Sequence, residues 1–318
     1  MKRFLLKLLL MAVIVLAAVE TVNALYVRNT VNFGTMGACK NDSAYIDEVP
    51  VKIQICNFGN SQEYYGFDYS EYENRYACFN FALPSQSLSY DYRILQEYSD
   101  RIEDGATVFI GISYISFFGE KETLGADFTS QNKRYYKFLS KNNIKEYDLK
   151  TDIFINYFPA LSVPLKDMAA TIMGKKENTD CWQDTTDEAK ALEHATARYN
   201  SHILSRTDET GNRIVNEEEI EALYSMIDLC RELNARPVLV TTPYLKEYTD
   251  TINAKDPKFY KDFYDIMDRV TREKSVVYED FGLSENYSDG YTLFFNTDHM
   301  NRSGAAMWTG ELLEQYGY

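Results

Sequence analysis

The chain has 318 residues, of which 45% are hydrophobic, and a formal net charge of −15 at pH 7. This length accommodates one large α/β domain with insertions, or two domains, and the apolar content is sufficient for a packed core. So negative a charge argues against a nucleic-acid partner and against broad adhesion to an anionic surface, because phosphate recognition needs clustered lysine and arginine.

The first 25 residues predict an export segment. A basic start precedes an apolar run from Leu8 to Val19. Val22 and Ala24 fit the small-residue pattern of a cleavage site, which indicates a removed signal peptide. The same segment is just long enough to span a bilayer as an uncleaved anchor. In both cases the basic end stays inside and the rest of the chain lies outside.

Strands and helices alternate along the rest of the chain. The predicted strands are 51–56, 76–83, 106–113, 236–244 and 275–281. The predicted helices are 86–102, which ends on "EDG", 216–235, which Asn216 can cap, 256–274 and 303–317. Strands separated by helices are typical of a parallel sheet covered on both faces. We therefore predict an α/β fold of the three-layer α/β/α type around a mostly parallel five-stranded sheet.

Residues 51–318 are predicted to form this domain, behind a linker at 26–50. The interval 117–210 is polar and irregular, with short helices expected near 131–140 and 186–204. We interpret it as a helical insertion between the third and fourth strands. Ligands in open α/β sheets bind at the carboxyl ends of the strands, so this insertion is a candidate lid or substrate platform. An ordinary surface excursion is the alternative.

The first strand is followed by Gly59-Asn60-Ser61 and a predicted helix. This triplet suits a simple turn, because glycine and asparagine allow positive φ. It also suits a nucleophile displayed on a strand-to-helix turn. A serine nucleophile needs a base, usually histidine, and the chain has only His194, His202 and His299. The first two are expected to be solvated residues of the insertion. His299 follows the last strand, so we predict that it meets Ser61 at the carboxyl edge of the sheet.

Cysteine spacing gives no sign of a metal site, since none of the five cysteines has the paired spacing of metal ligands. Cys56 and Cys78 border apolar runs and are predicted to be buried thiols.

Two blocks of the chain resemble the SGNH (GDSL-like) hydrolase superfamily. "GNS" at 59–61 resembles the first block of that family, and "NTDHMNRSGA" at 296–305 resembles the last, in which an aspartate and a histidine complete a Ser-His-Asp triad. Most of 50–318 is similar in layout to an exported, membrane-anchored subgroup, which includes lipoteichoic acid D-alanylation proteins and alginate-type O-acetyltransferases. The resemblance implies a flavodoxin-like sheet, an uncleaved anchor, and chemistry without a metal or organic cofactor.

The last block departs from the family pattern at the third member of the triad. The family's aspartate, three residues before the histidine, corresponds to Asn296, and Asp298 is adjacent to His299 instead. Neighbouring residues of an extended segment point to opposite faces, so Asp298 needs a turn to reach the ring. Asn296 can accept the Nδ1–H bond but cannot stabilise imidazolium by charge. The third member stays open between these two residues.

The resemblance also implies an oxyanion hole. Its donors would be the N–H of Ser61, the N–H of Ser85 at the family's glycine position, and Ser113 at the family's asparagine position. The hydroxyl of Ser113 could donate, but its reach is shorter than that of asparagine. Ordinary loop hydrogen bonding is the alternative for Ser85 and Ser113.

The implied reaction is attack of Ser61 on an acyl carbonyl, with His299 accepting the proton, followed by transfer to an acceptor hydroxyl. Three functions are open: an O-acyltransferase of an envelope polysaccharide or teichoic-type polymer, an exported carbohydrate esterase, and a non-catalytic partner of a multi-pass membrane O-acyltransferase. The expected partners are that polymer, that acyltransferase and the cell membrane, with the domain outside; secretion is the alternative. The tyrosine-rich stretch 62–76 is a candidate acceptor groove, although packing would account for most of its rings.

Overall fold

A computed structural model describes residues 1–28, 49–119, 132–173, 182 and 184–318. Its sheet has five parallel strands in the order β2-β1-β3-β4-β5, which confirms the predicted α/β class. Most of the predicted linker and two cysteines, Cys39 and Cys181, lie outside the described residues. The strands are β1 Ile53–Phe58, β2 Cys78–Asn80, β3 Ile102–Gly111, β4 Arg236–Thr241 and β5 Val277–Asp280.

Helices precede, separate and follow these strands. The α-helices among the described residues are α1 Lys2–Arg28, α2 Ser61–Gly66, α3 Leu88–Glu97, α4 Leu149–Asn156, α5 Leu165–Ile172, α6 Glu188–Arg198, α7 Glu217–Glu232, α8 Lys246–Lys255, α9 Phe259–Lys274, α10 Glu285–Ser288 and α11 Arg302–Gln315. Single 3-10 turns cover Ser99–Arg101, Lys133–Lys137, Lys141–Asn143, Pro159–Ser162, Leu204–Arg206 and Tyr291–Leu293, and a π-helical turn covers Tyr199–Ile203.

Helix α7 corresponds to the helix predicted at 216–235 and has the predicted cap. The side chain of Asn216 accepts a hydrogen bond from the N–H of Glu218 at 3.2 Å, so it caps the first turn. Three glutamates in that turn complement the positive end of the helix dipole. The predicted start at residue 216 is therefore confirmed.

The start of β3 differs from its prediction. The "EDG" at 103–105 was expected to end a helix, but these residues lie inside β3, which begins at Ile102. Gly105 adopts a φ of 79°, and the register between β1 and β3 shifts just there, between Ile53 and Ile55. A polar, glycine-containing triplet here forms an irregular strand start, because glycine tolerates the positive φ that such a bulge requires.

Both faces of the sheet are covered by helices. On one face, the ring of Trp308 from α11 lies 4.9 Å from Phe67, which in turn lies 5.7 Å from Phe109 of β3. On the other face, Phe58 of β1 stacks on Phe81 at 4.9 Å, and Phe81 contacts Tyr98 at the end of α3. The three-layer arrangement follows from these two aromatic layers.

The chain divides into two compact units. One unit consists of Val49–Thr123 and Asp180–Tyr318 and contains the sheet. The other consists of Met1–Glu48 and Leu124–Thr179 and contains α1, α4 and α5. The interval predicted as one insertion, 117–210, is thus shared between the units, and α6 belongs with the sheet.

Helix α1 is long and apolar. It has 27 residues and a mean hydropathy of 2.4 in its most apolar window, none of which is buried. At 1.5 Å per residue it is about 40 Å long, enough to cross the hydrocarbon core of a bilayer. Membrane anchors and signal sequences share these properties.

Candidate active site

Ser61 lies on a tight turn between β1 and α2. Gly59 adopts a φ of 142°, a conformation that favours glycine, and Ser61 is the first residue of the helix. The side chain of Asn60 accepts a hydrogen bond from the N–H of Gln62 at 3.0 Å, and Glu63 accepts one from the N–H of Asn60 at 2.9 Å. This reciprocal capping places the Ser61 hydroxyl, partly exposed, at the carboxyl edge of the sheet.

The fully buried Glu63 packs behind this turn, in space left by two glycines. A Cβ at Gly59 would come within 2.5 Å of the Glu63 carboxylate, and one at Gly111 within 2.2 Å of its Cγ. Burial raises the pKa of Glu63 to about 8, the hydrogen bond from Asn60 acts against this, and the charge of Asp91 adds to it. Glu63 is therefore largely protonated at neutral pH. Glu63 was not among the predicted site residues, although a glutamate three positions after a capping asparagine resembles the capping-box pattern.

Glu63 should make stability depend on pH. A carboxyl whose pKa is raised by folding stabilises the folded chain below its ordinary pKa near 4.5, and this contribution is lost as the pH rises towards 8. We expect Glu63→Gln to remove the loss. The unfolding free energy of the variant minus that of the wild type should then increase with pH, by up to about 1.4 kcal/mol for each pH unit between pH 5 and 8. Denaturant titrations at several pH values measure this difference.

A matched control is Glu232→Gln, which changes an exposed glutamate at the end of α7. Its unfolding free energy should parallel that of the wild type over the same pH range. A Glu63→Gln difference that stays constant from pH 5 to 8 would contradict the expectation.

His299 contacts Ser61. Its Nε2 lies 2.8 Å from the Ser61 Oγ, although 238 residues separate the two in the chain. The loop that carries His299 is closed by the antiparallel bridge between Phe294 and Met300. The imidazole stacks on Phe295 with a ring-centroid distance of 5.5 Å and meets the edge of Tyr65 at 5.4 Å. Packing and the loop therefore fix the plane of the ring.

Both candidates for the third position reach the imidazole. Nδ1 of His299 lies 3.0 Å from Oδ1 of Asn296 and 3.2 Å from Oδ1 of Asp298. The N–H of Asp298 donates to the Asn296 side chain at 3.0 Å, which closes an Asx turn. This is the turn that an adjacent aspartate needs to reach the ring. With Nδ1 protonated and shared between the two oxygens, Nε2 is free to accept the serine proton.

Arg198, which was not among the predicted site residues, lies behind Asp298. Nε of Arg198 lies 3.1 Å from Oδ1 of Asp298. Burial acts to raise the pKa of this carboxyl, but the attraction of His299 and Arg198 outweighs it and holds the pKa below the usual range. Asp298 is therefore ionised at neutral pH.

His202 is also part of this cluster, so the expectation that it is a solvated helix residue was wrong. Its Nε2 lies 3.3 Å from Nη1 of Arg198, and it is only partly exposed, whereas His194 is exposed as expected. Burial lowers the pKa of His202 to about 4, the nearby Asp298 opposes this shift, and Arg198 adds to it. A neutral His202 can accept a hydrogen bond from Arg198 at Nε2. The spacing of four residues on one helical segment was the available signal.

The N–H groups of Ser61 and Ser85 are available as donors. Neither makes a hydrogen bond to another described residue. Ser85 is exposed and has a φ of 57°, a backbone region that favours glycine. Its turn is tied to the turn that carries Ser61, because Leu83 N–H and the Gln86 side chain both donate to the carbonyl of Gly59 at 3.2 Å.

Ser113 has a different set of contacts. It is buried after β3, where its Oγ accepts a hydrogen bond from Nδ2 of Asn60 at 3.0 Å and lies 3.0 Å from Oγ of Ser116. Ser113 therefore contacts the turn that carries Ser61 through the side chain of Asn60. Its predicted role as an oxyanion donor stays a prediction.

The tyrosines of 62–76 are mainly packing residues. Tyr64 and Tyr69 are buried. Tyr65 is partly exposed and lies against His299. Of this stretch, Tyr65 is the ring that borders the site through a contact with the predicted base.

The described residues include no group of three or more His, Cys, Asp or Glu side chains that could hold a metal ion. Cys56, Cys78 and Cys230 are buried free thiols, which confirms the prediction for the first two. No protein-family model and no curated protein sequence matches the chain.

Proposed function

We propose that the chain is an SGNH-like serine acyltransferase of the cell envelope, anchored in the membrane by α1. The observation that carries this proposal is the 2.8 Å contact between Ser61 Oγ and His299 Nε2, together with the orientation of His299 by Asn296 and Asp298. A hydroxyl, an imidazole and an acceptor on the far side of the ring form the arrangement that activates a serine.

The mechanism begins when Ser61 attacks an acyl carbonyl and its proton moves to Nε2 of His299. The tetrahedral oxyanion is stabilised by the N–H groups of Ser61 and Ser85. His299 then donates its proton to the leaving group, and an acyl-serine remains. An acceptor hydroxyl, deprotonated by His299, attacks this ester, and Ser61 recovers its proton.

The fold supports this assignment. The strand order 2-1-3-4-5 is the flavodoxin-like order, in which ligands bind at the switch point between β1 and β3. Ser61 follows β1, and Ser113, which contacts Asn60, follows β3. Ser85, which corresponds to a glycine of the family, has a left-handed φ, a conformation that favours glycine.

Membrane anchoring is supported by the last turns of α1. Within that helix only Val19, Val22, Asn23 and Tyr26 are partly or fully buried, and they form a stripe at helical spacing. Cleavage after Ala24 would remove three of these four residues. An uncleaved anchor keeps the domain at the cell surface, close to the hydroxyls of envelope polymers. Because these hydroxyls can act as acceptors, the anchored location favours acyl transfer over release of acyl groups to water.

A fluorophosphonate that forms a covalent bond with activated serines tests the proposal. We expect the full-length protein to be labelled and the Ser61→Ala variant to be unlabelled, because the hydroxyl that attacks the probe is gone. Ser70→Ala, which changes an exposed serine nearby in sequence, is the matched control and should be labelled like the wild type. Failure to label the folded wild type would favour a non-catalytic partner of a membrane acyltransferase.

A second measurement distinguishes a transferase from an esterase. The protein is incubated with an activated acetyl ester and with increasing concentrations of a soluble polysaccharide. A transferase should pass a rising share of acetyl groups to the polymer, whereas an esterase should release acetate at every polymer concentration.

A further inference from the structure

An apolar surface lies exposed in the unit that contains α1. On α4 and the residue after it, Leu149, Ile153 and Tyr157 are exposed at intervals of four residues, and the buried Ile155 faces the other way. The following segment adds Leu161 and Leu165, which is 74% exposed. Exposed apolar side chains that adjoin on one helical face, as Leu149, Ile153 and Tyr157 do, mark a candidate interaction site.

The position of this surface along α1 is fixed by Asn23. Its Nδ2 donates to the carbonyl of Tyr157 at 3.1 Å, and its Oδ1 accepts from the N–H of Ala160 at 3.1 Å. The Asn23 side chain therefore fixes the position, along the axis of α1, of the backbone between α4 and α5.

The position of Asn23 along α1 coincides with the end of the proposed membrane span. In the proposed anchor, 20 residues counted from Phe4, which follows the basic start, reach Asn23 after about 30 Å, the thickness of the hydrocarbon core. The charged Glu20 lies one helical turn before Asn23 and also marks the end of the core. Asn23 therefore lies where the helix leaves the core, and the backbone that it binds lies at the boundary between acyl chains and headgroups. Because α1 places these residues there, lipid is the surface that they meet.

We propose that the segment from Leu149 to Met173, here called the interfacial platform, rests on the outer surface of the bilayer with its apolar side chains inserted among the lipids. This inference rests on the proposed membrane anchor. It differs from the expectation that the insertion is a polar lid or substrate platform.

The charges of the interfacial platform fit a neutral lipid surface. It carries two lysines and two aspartates, so its net charge is zero: Lys150, Asp152, Lys166 and Asp167. Binding would therefore come from burial of apolar area and would depend little on anionic lipid. Long lysine side chains can keep their ammonium groups at the headgroups while their stems lie along the apolar surface.

The test uses tryptophan fluorescence of the full-length protein reconstituted in phosphatidylcholine vesicles. Leu165→Trp places a reporter on the interfacial platform, and Tyr157→Trp places a second, conservative one there in case the first disturbs the fold. Val13→Trp places a reporter in the middle of α1. Leu283→Trp, at an exposed leucine of the sheet unit, serves as the control.

Each variant is compared with the parent protein. The native Trp182 and Trp308 are buried, and the emission of the parent protein is subtracted from that of each variant. Lipids brominated near the headgroup end of the acyl chains should quench both platform reporters at least twofold more than the control reporter. Lipids brominated deep in the chains should quench the α1 reporter most.

Two outcomes would overturn the proposal, and they differ in what else they affect. If the α1 reporter is quenched while both platform reporters behave like the control, the interfacial platform does not contact lipid, and a protein partner becomes the occupant to seek. If the α1 reporter is not quenched, the membrane anchor fails and the proposal fails with it. Labelling of Ser61 is measured separately and is unaffected by either result.

Discussion

Replacing His299 by alanine is expected to lower the rate at which Ser61 reacts with a fluorophosphonate by about a thousandfold or more. Nε2 of His299 lies 2.8 Å from the serine oxygen, so its removal leaves the hydroxyl without the base that takes its proton. The two N–H donors and the turn that displays Ser61 remain in place, and a residual rate should persist for that reason. The time course of fluorophosphonate labelling measures the rate.

The matched control is His194→Ala, because His194 is an exposed residue of α6. This variant should be labelled at the wild-type rate. Thermal unfolding of both variants establishes that they are folded. A folded His299→Ala protein that keeps more than a tenth of the wild-type rate would show that another group activates Ser61.

Asp298→Asn is expected to have the second-largest effect, a loss of about a hundredfold in the rate of fluorophosphonate labelling. At 3.2 Å from Nδ1, a carboxylate stabilises imidazolium by about 5 kcal/mol at an effective dielectric constant of 20. Arg198 lies at 3.1 Å from the same oxygen and offsets part of this attraction. Asparagine preserves an oxygen acceptor for Arg198, so the variant removes the charge with little change in shape.

The labelling rate of Asp298→Asn is to be compared with that of Asn296→Ala. The latter substitution removes two hydrogen bonds, one from Nδ1 of His299 and one from the N–H of Asp298. Each contributes about 1 kcal/mol, so we expect a loss of roughly ten- to thirtyfold. If Asn296→Ala proves more damaging than Asp298→Asn, then the asparagine orients the ring and the carboxylate serves mainly to pair with Arg198. Labelling rates of the two single variants and the double variant separate these cases.

The parts of the molecule that were predictable are those with local signals. The five strands could be predicted from apolar runs between helices. The turn at Gly59 could be predicted because glycine and asparagine, which allow positive φ, follow the first of these runs. The serine and the histidine could be paired because both follow parallel strands, and such ends converge at one edge of the sheet. Short-range chemistry and topology were sufficient for these features.

The remaining features depend on contacts that no local pattern reveals. Asp298 faces the imidazole because the side chain of Asn296 turns the backbone, and alternation along an extended segment predicts the opposite. Arg198 and His202 lie on a polar helical segment, which resembles a solvated surface until the loop of His299 packs against it. The apolar residues of the interfacial platform are dispersed among charged ones, so the long interval that contains them is polar by composition.

The separation of 238 residues between Ser61 and His299 has a consequence for biosynthesis. At a translation rate of roughly 5 to 20 residues per second, the nucleophile leaves the ribosome some ten to fifty seconds before its partner. During that interval a nascent chain carries only an inert hydroxyl. In the proposed mechanism, attack by Ser61 therefore cannot begin until the loop that carries His299 has packed against it.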